Sequence, residues 1–277
     1  MKKTILLALV LVIALVASPA FASVQNIKIS GAVDSMYLYR SNFDLGSNAV
    51  NVLDSDDLTQ SLFITQTMLH VDADLTDNIS AKIGLINERA WGDYNATTDN
   101  TDVDLYLAYV TLREMLYSPL TVVVGRQAFS YGNSLMVDSA GTNNLAPADS
   151  GILNVANDLT AQTSLDALRT ILDYNPLTLE FLWAKQASTT NGASGDQDDI
   201  DVYGINASYE LGDDMNTEVE AYLFARIDKT WKDQSTSTNS TKSDKLIVPG
   251  VRASTNILDG LTVHGALAWQ RGTKVRC

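Results

Sequence analysis

Along most of this chain, apolar and polar side chains alternate with a period of two, in segments separated by turn-forming or polar stretches. In the segment Thr217–Asp228, Val219, Ala221, Leu223, Ala225 and Ile227 alternate with Glu218, Glu220, Tyr222, Phe224 and Arg226. Successive strand side chains point to opposite faces, and an amphipathic helix does not produce this period over such a length. In Ser61–Leu75, Phe63, Thr65, Thr67, Leu69 and Val71 share one face, and Gln66, His70, Asp72 and Asp74 the other. The same pattern predicts eleven strands in all: Ile27–Arg40, Ser61–Leu75, Ile79–Arg89, Val103–Arg113, Leu120–Gln127, Leu165–Tyr174, Leu177–Lys185, Ile200–Leu211, Thr217–Asp228, Leu246–Asn256 and Leu261–Arg271. Most approach or exceed the roughly 9–11 residues that a tilted strand needs to cross a bilayer.

The connections between these segments sort by length. Thr76–Asn78, Glu114–Pro119, Asn175-Pro176, Gly212–Asn216 and Ile257–Gly260 are short and rich in the Asp, Asn, Gly and Pro that supply turn geometry. Ser41–Gln60, Ala90–Asp102, Ala128–Ser164, Gln186–Asp199 and Lys229–Lys245 are long and polar. Short and long alternate without exception. A soluble β-sandwich has no reason to sort its loops this way. An outer-membrane barrel does, because its short turns face the periplasm and its long loops face outward. The predicted fold is therefore all-β, an antiparallel up-and-down transmembrane β-barrel. Single-chain bacterial barrels have an even strand number. Eleven strands, and an end at Cys277 without a terminal aromatic residue, lead us to expect an incomplete N-terminal portion of a larger barrel.

The N-terminus adds an address. Met1-Lys2-Lys3 is basic, Ile5 to Ala17 is apolar, and Ala20-Phe21-Ala22 presents small residues where a signal peptidase reads. We expect residues 1–22 to be a cleaved signal peptide and 23–277 the barrel domain. The expected location is the outer membrane, with its lipids, its lipopolysaccharide and the barrel-assembly machinery as partners. Tyr37, Tyr39, Trp91, Tyr94, Tyr174, Trp183, Trp231 and Trp269 fall near strand ends, as in an interfacial aromatic girdle.

The net charge of −14 excludes a nucleic-acid footprint. Many acids sit in loop runs such as Asp54–Asp57 and Asp196–Asp199, where solvation explains them. Nucleotide-loop, zinc and nucleophile-elbow patterns are missing. The two histidines, His70 and His264, lack the Ser two residues on that an outer-membrane phospholipase uses; Asp72 and Ala266 stand there. No catalysis and no cofactor are expected. Arg40 and Arg226 alternate with apolar neighbours and are expected to face the lumen, whereas Arg126, Lys185 and Arg271 share the apolar register. Arg169 and Arg252 lie at inward positions of returning strands. The four inward arginines, Arg40, Arg169, Arg226 and Arg252, are the candidate pore-lining residues, since guanidinium rings attract and orient anions. Inward acids, among them Asp34, Asp104, Asp173, Glu180, Glu210, Glu218 and Glu220, make the expected lumen one of mixed charge.

The segment Val124-Gly125-Arg126-Gln127-Ala128-Phe129-Ser130-Tyr131-Gly132-Asn133 resembles the alginate-export family of outer-membrane porins, in which a Gly-Arg-Gln strand end leads into a loop carrying Tyr-Gly. The matching motif positions are Gly125, Arg126, Gln127, Tyr131 and Gly132. The resemblance implies a larger barrel and an electropositive pore for an anionic polysaccharide. The reading that follows is a pore for passive movement of hydrophilic saccharide solutes, anionic ones included, with the Ala128–Ser164 loop a candidate to fold inward as a constriction. The rival reading is a structural or adhesive barrel, plugged inside, whose acidic loops bind a partner.

Overall fold

A computed structural model describes residues 25–41, 59–91, 103–114, 118–138, 164–187, 199–229 and 243–273. The expected signal segment, most of the acidic loop runs, Tyr94 and Trp231 lie outside the described residues. The strands are β1 (Asn26–Ser41), β2 (Thr59–Thr76), β3 (Ile79–Ala90), β4 (Asp104–Arg113), β5 (Leu120–Gln127), β6 (Ser130–Tyr131), β7 (Val137–Asp138), β8 (Leu165–Asp173), β9 (Leu177–Ala187), β10 (Ile200–Glu210), β11 (Glu218–Asp228), β12 (Asp244–Leu258), β13 (Leu261–Ala268) and β14 (Arg271–Thr273). One sheet runs in the order β1-β2-β3-β4-β5-β8-β9-β10-β11-β12-β13, every pair antiparallel, and β14 continues the last position beside β12. Each of the eleven predicted strands has its counterpart.

Because every neighbour in the meander is also the next strand, the short connections gather at one end of the sheet and the long ones at the other. The short turns satisfy their own backbone. In the β10–β11 connection, Leu211 N donates to Thr217 O at 2.9 Å and Asn216 N donates to Asp213 O at 3.1 Å. Asp213 Oδ1 accepts from Thr217 N at 2.7 Å and Oδ2 from the Thr217 hydroxyl at 2.6 Å. Those bonds hold the exposed Asp213 carboxyl below its ordinary range, the side-chain bond contributing most.

Strand pairing fixes which side chains share a face. The pairs Arg169↔Leu182, Gly204↔Leu182, Gly204↔Phe224 and Phe224↔Val248 trace one face across β8 to β12. Leu182, Phe224 and Val248 are buried on it, and the β6–β7 segment packs against it. We call this the inner face. The opposite, outer face carries Ile29, Val33, Leu69, Ile83, Val124, Phe181, Ile205, Leu223 and Val251, all exposed; Val33 is 70% and Leu267 72% exposed. At its loop end stand aromatic rings: Tyr37 lies 5.0 Å from Phe63, which stacks on Trp91 at 4.9 Å. A water-soluble sheet would bury that apolar face against a second layer. Among the described residues nothing covers it. The outer side chains of β11 run from Val219 to Ile227, roughly 26 Å along the strand at ~3.3 Å per residue, which matches a hydrocarbon core crossed obliquely.

Among the described residues β1 and β13 do not pair with each other, so the sheet is open. Both edge strands present unpaired backbone groups.

Candidate functional site

The functional geometry lies where the chain leaves β5. At Gly125 the backbone has a φ of +124°, and a Cβ there would lie 2.2 Å from Ala108 O. Only glycine allows β4 and β5 to approach so closely in that conformation. Arg126, next along, points to the outer face and forms a two-pronged pair with Asp166: Nε to Oδ1 and Nη2 to Oδ2, each 3.1 Å. That pair, on β5 and β8, ties the two strands together across the mouth of the long loop. Gln127 turns inward and is almost wholly buried. Its Nε2 donates to Ala167 O at 3.0 Å, Gly125 O at 3.3 Å and Val123 O at 3.4 Å. An uncharged amide thus fills the donor demand of a strand end that would otherwise fray.

The chain then turns back over the inner face instead of continuing into solvent. β6 and β7 pair as a small hairpin, Ser130↔Asp138 and Tyr131↔Val137. Phe129 and Tyr131 enter a cluster with Ala167, Leu182, Ala184, Tyr222 and Phe224, with Met136, Val137 and Val202 packed at its edge. Tyr131 and Phe224 rings are 5.1 Å apart, Tyr222 and Phe224 5.4 Å, in the tilted arrangements that aromatic pairs favour. The wall makes room by being bare: a Cβ on Gly250 would sit 2.3 Å from the Tyr222 ring, so the ring lies flat where the side chain is missing. Gly132, with φ +60°, presses on the other side of the same ring, and a Cβ there would be 2.7 Å from Tyr222 Cε1.

Polar contacts clasp the hairpin in two places. The Tyr131 hydroxyl donates to Glu180 Oε1, and Arg169 Nε pairs with the same carboxylate. Arg169 Nη1 also reaches Gln127 Oε1 at 3.5 Å, and its guanidinium lies over the Phe129 ring, 5.5 Å from the centroid. Burial, with the adjacent Glu180 carboxylate, pushes the Tyr131 phenol far above its ordinary value, so it remains a donor. At the second place Gly132 N donates to Glu220 Oε1 at 3.3 Å. Arg252 Nε donates to Asn133 Oδ1 at 2.6 Å, while its Nη1 meets Glu218 Oε2 and Glu220 Oε2, both at 3.3 Å. Glu220 lies eight residues from the loop end of β11 at Asp228, so the hairpin reaches on the order of 26 Å along that strand.

The candidate pore-lining arginines therefore have distinct surroundings. Arg169, Arg226 and Arg252 all fall on the inner register. None of the three stands alone: Arg169 pairs with Glu180, Arg252 with Glu218 and Glu220, and Arg226 with Asp228 at 3.1 Å and Gln186 Oε1 at 2.9 Å. The backbone of Arg40 pairs with Gln60, and its side chain lies outside the described residues. Arg126 and Lys185 share the outer register, as the alternation predicts; Lys185 holds Asp199 at 2.6 Å and Asp201 at 3.3 Å. Sequence reasoning named Glu180, Glu218 and Glu220 as inward acids but missed that they are the partners of the inward arginines. It also missed Tyr222, Gly250 and Asn133 as the seat of the hairpin. Nothing in a period of two marks them, since each acts through a neighbour that only the register supplies.

Between the hairpin and the inner wall is a cavity of about 820 Å³. Glu88, Asp104, Tyr106, Asp138, Gln186 and Arg226 are among the residues that border it. Tyr106 is held there by a hydrogen bond between its hydroxyl group and His70 Nε2.

No known family model matches the sequence, and no curated protein matches it. Among solved structures the chain is similar to an anion-selective porin from Comamonas acidovorans, with 16% identity over 89% of this chain and 79% of that one, at a TM-score of 0.40. It is also similar to a triple mutant of the Rhodopseudomonas blastica porin, with 12% identity over 88% of this chain and 94% of that one, at a TM-score of 0.32.

Proposed function

We propose that this chain forms the wall of an outer-membrane β-barrel pore for passive movement of hydrophilic solutes. One observation carries the reading: the sheet is inside out by the standards of a soluble protein. Its outer face exposes Ile29, Val33, Leu223 and Val251, while its inner face buries Gln66, Gln127, Glu180 and Glu220. Such a sheet is stable only with hydrocarbon on one side and water on the other. A bilayer also does not tolerate an open sheet edge, because each unpaired backbone group there costs several kcal/mol. The backbone groups at the β1 and β13 edges must accordingly find partners in the working barrel.

The mechanism needs no reacting group. A solute diffuses through the lumen, lumen side chains replace part of its hydration, and the inward hairpin narrows the path on one wall. A vestibule of about 820 Å³ admits a sugar-sized solute. The anionic polysaccharide implied by the family resemblance calls for guanidinium groups available to a ligand. Arg169, Arg226 and Arg252 are each engaged by carboxylates, so the proposal is kept to hydrophilic solutes in general. Liposomes carrying the native protein should swell in isotonic arabinose or glucose and resist a large oligosaccharide. Protein-containing liposomes that swell no faster than empty ones would refute the pore and leave the plugged, structural barrel.

A further inference from the structure

Resting on the pore reading above, we infer that the lumen prefers cationic over anionic solutes, and that Glu88 and Asp104 on its wall are specificity-determining residues. Along the inner register of the described strands, positions holding Asp or Glu clearly outnumber those holding Lys or Arg. The excess exists whatever each carboxylate touches. Four of the inner cations are also held by carboxylates: Lys82 meets Asp72 at 3.1 Å, Arg169 meets Glu180, Arg226 meets Asp228, and Arg252 meets Glu218 and Glu220. A solute that passes Arg169, Arg226 and Arg252 therefore meets guanidinium charge already matched at contact distance, and the long-range field along the wall follows the excess of carboxylates.

The vestibule concentrates this asymmetry. Arg226, the inner-register cation among the described residues that border it, is bound to Asp228, which does not border it. Glu88 and Asp104 stand on neighbouring strands of the same wall, β3 and β4, where Asp104 pairs with Ile86 in register. A solute that moves along this wall passes its fixed charges within the Debye length, which is about 10 Å at 0.1 M salt. Two unit charges roughly 7 Å apart in water shift a local concentration by about threefold, so each carboxylate contributes on that scale.

The test uses native protein extracted from outer membranes, inserted in planar bilayers under a potassium chloride gradient at low ionic strength. The wild-type reversal potential should lie on the cation side, with a potassium-to-chloride permeability ratio above one. The double variant Glu88→Gln with Asp104→Asn should conduct and show that ratio reduced by roughly threefold to tenfold. Raising the salt should shrink the difference between the two proteins. A conducting wild type that reverses on the anion side, or a conducting double variant with an unchanged ratio, would overturn the inference while leaving the pore intact. Protein that inserts but never conducts would overturn the pore reading, and the inference with it.

Discussion

Replacing Gly132 by valine should expel the inward hairpin from the lumen wall. Two costs combine at this position. A β-branched residue at φ +60° loses roughly 1–2 kcal/mol to the clash between Cβ and the backbone. The new Cβ would also begin 2.7 Å from Tyr222 Cε1. That ring cannot retreat, because its far side already lies on the bare backbone of Gly250, at 2.3 Å from where a Cβ would be. Overpacking of this kind costs about 1–3 kcal/mol. The total of roughly 2–5 kcal/mol corresponds to a thirtyfold to several-thousandfold shift away from the docked hairpin, at ~1.4 kcal/mol per factor of ten. Burial of Phe129 and Tyr131 holds the hairpin down by about 1.5–3 kcal/mol each, so the perturbation is of the same size as the docking itself. Single-channel recording should show a larger mean conductance with added noise, and amide exchange should quicken in residues 129–137 while β8 to β12 stay protected. A variant with wild-type conductance and wild-type protection of those amides would show that the hairpin is not held as the packing implies.

Three further outcomes follow from the same contacts. Leu223→Arg puts a charge on the outer face near mid-strand, which costs roughly 2–4 kcal/mol at a bilayer midplane, and should cut the yield of heat-stable folded protein in membranes; normal assembly would count against a lipid-facing β11. Arg252→Gln leaves Glu220, 6% exposed, without its ionic partner and should destabilise the barrel by about 3–5 kcal/mol, while adding Glu220→Gln should recover much of the loss in denaturant titrations. The depressed Asp213 carboxyl contributes stability above the ordinary carboxylate range that disappears as pH falls through its folded value; Thr217→Val should raise that value in a titration followed by NMR and flatten the acid-side dependence.

The strands could be read from the chain because their physics is local. A residue pair such as Val219 and Glu220 shows its two faces without reference to anything else, and turn chemistry at Asn175-Pro176 or Asp259-Gly260 marks the reversals. Boundaries moved where pairing, not composition, ends a strand: β12 runs from Asp244 to Leu258 because β11 and β13 supply partners beyond Leu246 and Asn256. The hairpin β6–β7 left no such trace. Its strands are two residues each, too short for any period, and its position depends on Tyr222, Gly250, Glu180 and Glu220, which lie on distant strands. The arginine pairs were hidden for a related reason. The partner of Arg252 sits 32 residues away and becomes adjacent only once β11 and β12 are in register. The residues from Gly125 to Gly132 have structural roles that the alternation does not reveal. Gly125 allows a close strand approach, Arg126 and Gln127 fasten the strand end on opposite faces, and Tyr131 and Gly132 seat the hairpin.

The central claim is that one face of this sheet meets lipid and the other meets water, and β11 tests it most directly. With Cys277 replaced by serine, single cysteines carrying a nitroxide can be placed in turn at positions 218 to 227 of protein reconstituted in bilayers, and their collision rates measured with oxygen, which partitions into lipid, and with a water-soluble nickel chelate. The account expects an alternation of period two. Positions 219, 221, 223 and 225 should favour oxygen, and 218 and 226 the nickel chelate, with 220, 222 and 224 low for both reagents beneath the hairpin. Equal accessibility of odd and even positions to the nickel chelate, or oxygen preference at the even ones, would contradict it.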